Sequence, residues 1–309
     1  MFIYDSKELK GSIFILFSAF MYATLPILVK LAYSTGLGPG STLLLRYVFS
    51  FILLALLIKL VKHDRILSLD PPVIAQGIFL TVSGLFYFFA LNTLSAGIAT
   101  VIFFTHPVLV AILSILVYKE TFVPRIFVGL TLALMGIALI SGLVGSSPGL
   151  SSEGILFALL ASICYSIYSL LGQKTVVRSN PLSITATLSL MAIIIIVPVY
   201  HSSLGFIFTL TSAQLLITLV MAVFNTLLAV LFFLKGVKNI GAARATLIST
   251  VEPVFCLMMA FLVLGETLTR AEVTGSAMVF ASMLLAVFSD HENASNPELA
   301  TSKVKDQQN

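Results

Sequence analysis

Charge is scarce in this chain. Only 10% of its 309 residues are Asp, Glu, Lys or Arg, where a soluble domain carries about 25%, so water is excluded as the main solvent. Cysteine is scarcer still. Cys164 and Cys256 both sit inside apolar runs, and without a further Cys or His grouping neither a disulfide framework nor a metal site can be assembled. Three of the four histidines, His63, His201 and His291, fall at helix ends or in the tail, and only His106 is central. There is no HExxH, no paired carboxylate site and no His cluster, so metal and carboxylate-dyad chemistries lack their residues. No GxxxxGK[ST] phosphate loop occurs, which disfavours ATP-driven work by this chain alone. Neither charged rings nor a filter motif marks an ion channel.

What the chain does have is apolar length. Hydrophobic residues make up 59% and mean hydropathy is +1.09. Runs of about 20 apolar residues, each long enough to cross a hydrocarbon core of about 30 Å, recur throughout. Ten spans are expected, near 11–33, 39–60, 73–93, 97–118, 125–144, 154–174, 182–202, 213–234, 242–264 and 271–289. Helices are the expected form, because lipid cannot satisfy open backbone groups and the runs are too uniformly apolar for alternating barrel strands. Polar punctuation separates them at Gly36 to Gly40, Asp70-Pro71-Pro72, Ser146 to Glu153, Asn180-Pro181 and Thr209 to Ser212. Lys7 and Lys10 precede the first run without a small-residue cleavage site, the pattern of a retained signal anchor. The polar segment 290–309 reads as a disordered tail.

The net charge of +4 is a topology signal, and no nucleic-acid partner is needed to explain it. With the N-terminus inside, fourteen of the seventeen Lys and Arg fall on inner segments, which sets both termini in the cytoplasm. Lys30 and Arg46 lie near the outer ends of the first two spans, where snorkelling to the interface explains them. Contact between Arg46 and an anionic substrate group is the alternative.

The segment Leu94 to Gly129 recurs without a gap at Ile240 to Gly275, with eleven of thirty-six positions identical. The identities fall at Ala99-Thr100 and Ala245-Thr246, Pro107-Val108 and Pro253-Val254, Glu120-Thr121 and Glu266-Thr267, and Gly129 and Gly275. A weaker echo pairs Gly11 and Phe14 with Gly154 and Phe157, and Tyr22 with Tyr165. Internal repetition on this scale makes two copies of one unit. Five spans per unit is an odd number, so the copies cross the membrane in opposite senses, and the basic residues are redistributed accordingly. The second span is followed by Lys59, Lys62 and Arg65, while its counterpart has no cation; Lys235, Lys238 and Arg244 follow the eighth span, where the third has none. The expected fold is all-α: ten transmembrane helices as two inverted five-helix repeats. The expected parts are a cytoplasmic segment 1–10, repeats 11–145 and 154–289, a linker 146–153 and the tail 290–309.

On these residues the chain resembles the drug/metabolite transporter superfamily, in its ten-helix branch with two EamA-type domains. The resemblance rests on the mid-helix prolines Pro107 and Pro253, the closing Glu120 and Glu266 in KET and GET, the helix starts AGIAT and GAARAT, Gly129 and Gly275, and Arg46 in LLLRY. Lys119 departs from it, standing where such proteins usually carry glycine. The resemblance implies a carrier of small organic solutes across the cytoplasmic membrane and leaves the solute open.

The sharpest candidate residue is Glu252, near the bilayer centre and next to Pro253. An intramembrane carboxylate costs about 2.5–3.5 kcal/mol on insertion scales and is by default a functional hypothesis; the alternative is a protonated Glu that glues helices together. His106 holds the equivalent place before Pro107. The pair are the candidates for proton coupling, with a neutral packing His as the other reading. Each proline also frees the carbonyl four residues back, at Phe103 and Ser249. Thr105, Ser249 and Thr250 lie beside them, either as substrate contacts or as groups that re-satisfy the kink. Tyr22, Tyr87, Tyr165, Tyr168 and Asn225, with Gln173, complete a candidate cavity of aromatic walls and placed polar groups; bundle glue is the alternative for all but Tyr22 and Tyr165. Thr269 and Glu272 are spaced as a capping box. The function expected is secondary transport of a small organic solute by alternating access, with the bilayer and a proton as partners and no cofactor. An intramembrane enzyme acting on a lipid-phase or small-molecule substrate is the alternative.

Overall fold

The computed structural model describes residues 6–62, 65–94, 99, 102–119, 124–140, 151–200, 210–264 and 269–287. Glu120, Glu266, most of the expected linker and the tail lie outside them. Among the described residues the regular structure is helical. In chain order the helices are α1 (Ser6–Ala23), α2 (Leu25–Ser34), α3 (Pro39–Leu57), α4 (Pro71–Thr93), α5 (His106–Tyr118), α6 (Pro124–Ile140) and α7 (Ser152–Arg178). They continue as α8 (Pro181–Val199), α9 (Ser212–Met221), α10 (Ala229–Ile240), α11 (Ala242–Ser249), α12 (Glu252–Leu264) and α13 (Arg270–Val287). A π turn, Ile58–Lys62, extends α3, and a π segment, Ala222–Leu228, joins α9 to α10.

The starts are set by local chemistry. Proline occupies the first turn of α3, α4 and α8, where its missing N–H costs nothing. The Asn180 side chain accepts from the Leu182 N–H and the Ser151 hydroxyl from the Gly154 N–H, each capping its helix. Thr211 and Gln214 form a reciprocal capping box. Thr269 and Glu272 do the same before α13, as their spacing predicts: the Thr269 N–H donates to Glu272 (2.6 Å) and the Glu272 N–H to Thr269 Oγ1 (3.2 Å).

The polarity of the bundle is inverted relative to a soluble protein. Large apolar side chains such as Leu116, Val177 and Leu262 are at least 70% exposed, while hydroxyls of Ser50, Ser83, Ser162, Ser166, Thr185 and Thr246 are enclosed. Small and hydroxylated residues let backbones approach and bond where lipid offers no hydrophobic drive between helices. Among the described residues, seven helical stretches are long and apolar enough to cross a membrane. Two shorter apolar helices, His106–Tyr118 and Pro124–Ile140, accompany them. This is an all-helical, multi-pass membrane protein.

The helices pack in pairs: α4 along α7, α1 along α10, α3 along α8, and α6 along α13. Close approach requires glycine at the last crossing. A Cβ on Gly275 would lie 2.5 Å from the Gly136 carbonyl oxygen, and one on Gly136 would lie 2.6 Å from that of Gly275.

Four expected spans differ. The first is interrupted at Thr24, between α1 and α2, and the eighth runs on to Ile240 through its π segment. The stretch 242–264, expected as one bent helix, stops at Ser249 and restarts at Glu252. His106 likewise opens a new helix after a turn at Phe104 and Thr105. A proline can neither donate to the carbonyl four residues back nor fit its ring beside it, and here the bend becomes a break.

Candidate functional site

The two breaks have the same hydrogen-bond pattern. Thr105 N–H donates to the Ile102 carbonyl, and the Thr105 carbonyl accepts from Val108 and Leu109; Val251 N–H donates to Ile248, and its carbonyl accepts from Val254 and Phe255. His106 and Glu252 therefore each stand in the first turn of a helix, α5 and α12. The exposed N–H groups of a first turn form the positive end of the helix dipole, which favours an anionic group such as the Glu252 carboxylate.

The carbonyl freed by Pro107 is taken by His106 itself: its Nδ1 bonds the Phe103 oxygen at 3.1 Å. A carbonyl only accepts, so the hydrogen is on Nδ1, and in the neutral ring Nε2 is the bare acceptor. Nε2 is buried and has no partner among the described residues. Aromatic rings enclose the imidazole, with Tyr165 at 4.6 Å, Phe103 at 5.0 Å and Phe104 at 5.5 Å between centroids. This chain of rings continues to Tyr87, 5.0 Å from Phe103, and to Tyr168, 5.2 Å from Tyr165 and stacked on Phe233.

Tyr22 joins the same cluster: Arg46, Tyr47, Tyr165 and Tyr168 all lie within electrostatic reach of its hydroxyl. Glu252 and Tyr47 lie within reach of Tyr165. Tyr168 is completely buried, and its hydroxyl has no partner among the described residues. Of the sequence candidates, Tyr22, Tyr87, His106, Tyr165, Tyr168 and Glu252 are thus brought into one neighbourhood.

The remaining candidates are engaged at the breaks. Thr105 Oγ1 donates to the Ile102 carbonyl and pairs with the Ser162 hydroxyl at 2.9 Å. Ser249 and Thr250 donate to Thr246 and Leu247, within their own turn. Asn225, in the π segment, donates its amide to the Met21 carbonyl and to Thr24 Oγ1, so it clamps the interruption in the first span. Gln173 accepts from the Ala242 N–H and caps α11.

Arg46 does not snorkel. It is 9% exposed, its guanidinium lies 4.8 Å from the Tyr47 ring, and its Nε has no partner among the described residues. Counting residues from a helix end sets depth but not the face, and this face points inward. Sequence reasoning also missed Tyr47, Phe104 and Phe233, and of Phe103 it used only the carbonyl and not the ring. The pair Ser162 and Ser166 was missed too, although its i, i+4 spacing on α7 was a readable signal of one polar face.

A helical membrane bundle with two broken helices beside a buried polar and aromatic cluster defines the class as a multi-pass membrane protein. The EamA-like transporter family matches the chain twice, over residues 9–142 and 152–288, and the chain belongs to that family. An uncharacterized transporter of Archaeoglobus fulgidus is 26% identical over 256 residues, covering 81% of this chain and 89% of its own. The threonine/homoserine exporter RhtA of Escherichia coli is 26% identical over 251 residues, covering 80% and 81%. A crystal structure superposes with a TM-score of 0.77 at 18% identity, over 89% of this chain and 96% of that one, a likeness of fold alone. Family and relatives are transporters rather than enzymes.

Proposed function

We propose that this protein is a secondary carrier of a small polar organic solute, working by alternating access. Ten spans in two inverted five-helix repeats, with both termini cytoplasmic, would rock about a site between α1, α5, α7 and α12. The observation that carries this reading is the matched pair of helix breaks, each opening on a polar residue, His106 or Glu252, beside an aromatic cluster. Discontinuous helices at mid-depth between inverted repeats are how carriers build such sites.

Contacts support the inversion. Gly11 is crowded by Asn239 and Ile240, and Gly154 by Thr93 and Leu94; residues 93 and 94 are the repeat equivalents of 239 and 240. Ser18 donates to the Ala229 carbonyl, and Ser83 to that of Ala161, both at 2.8 Å. These are the same two positions of the unit with the donor exchanged. The RhtA resemblance supports an amino-acid-like solute, with proton coupling assigned to His106 and Glu252.

The test is labelling with a water-soluble maleimide of single cysteines along 102–115 and 245–261, in a chain whose Cys164 and Cys256 are replaced. Reactivity on one face of each segment, including positions 106 and 252, and protection by a transported solute are expected. Labelling absent from both faces would refute a water-accessible central site.

A further inference from the structure

Arg46 is the one buried cation near the central cluster whose charge nothing described offsets. Its surface is 9% exposed, and its guanidinium carbon lies 4.8 Å from the centre of the Tyr47 ring. Nε is fully enclosed without an acceptor. The Tyr22 hydroxyl lies within its electrostatic reach, which puts Arg46 on the rim of the tyrosine cluster. A guanidinium inside a bundle persists only where an anion or a set of acceptors answers it. Glu252 does not: among the described residues no salt bridge joins it to Arg46, whereas Arg244 and Glu8 do form one, at 3.7 Å. Glu252 lies within electrostatic reach of Tyr165 and Arg46 within that of Tyr22, so both groups border one aromatic cluster.

We infer that Arg46 binds the carboxylate of the transported solute, an inference that rests on the carrier reading above. The guanidinium offers Nε–H and an Nη–H as two parallel donors, the geometry that matches a carboxylate. One negative charge balances one arginine. A phosphate monoester, at roughly −1.5 to −2, would bring excess negative charge into a cluster that already holds Glu252. A monocarboxylate with a neutral or cationic remainder fits both groups.

The experiment uses the full-length protein in proteoliposomes loaded with a mixed panel: zwitterionic amino acids including threonine and homoserine, their carboxamides, simple monocarboxylates and uncharged sugars. Release is followed by mass spectrometry. Wild type should release carboxylate-bearing members and retain the matching carboxamides. Arg46→Lys keeps the charge but loses the fork and should slow carboxylate release about 10-fold, and Arg46→Gln about 10- to 100-fold, the scale of a lost charge-assisted pair. Carboxamide release should then equal or exceed it. Tyr47→Leu separates a packing role: if Arg46 served only to stack on Tyr47, this variant would reproduce the Arg46→Gln selectivity change. Monodisperse elution establishes folding, and Arg46→Lys carries the test if Arg46→Gln does not fold. A Tyr47→Leu that reproduces that change, unchanged carboxylate release in folded variants, or a wild type that moves only uncharged solutes, overturns the Arg46 assignment while the carrier reading stands. Release of nothing in the panel by wild type removes the carrier reading and this inference with it.

Discussion

Replacing Gly275 by alanine tests the tightest helix crossing. The added Cβ would sit 2.5 Å from the Gly136 carbonyl oxygen and 3.0 Å from Ile140 and Leu139 side-chain carbons. Carbon–oxygen contacts between packed helices run at about 3.3–3.6 Å, so α6 and α13 must separate by about 0.8 Å. The obstacle is backbone, which cannot swing aside as a side-chain end does. Overpacking of this kind costs about 1–3 kcal/mol. At about 2–4 °C per kcal/mol for chains of ~150–250 residues, the midpoint should fall by roughly 2–12 °C. Gly136→Ala should behave alike, its Cβ meeting the Gly275 oxygen at 2.6 Å. Gly84, inside α4, has nothing within 4 Å of its missing Cβ. There alanine removes only the flexibility penalty of helical glycine, about 0.5–1 kcal/mol, and should raise the midpoint slightly. The assay is the fraction remaining monodisperse in detergent after heating. If Gly275→Ala and Gly136→Ala tolerate heat as well as Gly84→Ala does, the close crossing is wrong.

Lys119 closes α5 with φ 54° and ψ 35°, a left-handed cap that costs an L-residue about 1–2 kcal/mol; Lys119→Gly should raise the same midpoint by about 2–6 °C, and a lowered one would refute the strain. Ser18→Ala and Ser83→Ala each remove one buried interhelical bond of 2.8 Å and should cost similar amounts, about 0.6 kcal/mol apiece; a several-fold difference by chemical denaturation would argue against equivalent roles. If His106 and Glu252 couple protons to transport, Glu252→Gln and His106→Ala should each abolish gradient-driven uptake while leaving solute exchange. Unchanged gradient-driven uptake in both rejects the coupling role.

What could be read from the chain was whatever interrupts apolar periodicity. Pro39, Pro71 and Pro181 mark helix starts and occupy them, because proline fits the first turn and fits badly elsewhere. Thr269 and Glu272 announced their capping box for the same reason: the motif is local. Arg46 was misread because hydropathy averages around a helix, and only packing against the tyrosines decides which face is enclosed. The rings of Phe103 and Phe104 were invisible for a statistical reason: 24 phenylalanines leave no single ring distinguished until two of them stand at a broken helix. The π segment holds Asn225, whose amide bonds the distant Met21 carbonyl, a pairing that no local pattern encodes.

The repetition itself separates what the fold needs from what function needs. Positions that recur, such as the prolines at 107 and 253 and the glycines at 129 and 275, set breaks and crossings that two like units both require. Positions that ought to recur and do not are where the units were pulled apart. His106 is ringed by Tyr165, Phe103 and Phe104, and its Nε2 has no partner among the described residues, whereas its equivalent is a glutamate. Arg46 is buried in α3, whereas the second unit's matching helix, α8, has no Lys or Arg anywhere between Pro181 and Val199. Symmetry would have supplied two equal half-sites, suited to a solute with two like ends. Instead the exceptions leave Arg46, His106 and Glu252, three unlike groups, beside a shared cluster of tyrosines, an asymmetry that the proposed binding of a solute with two unlike ends would use.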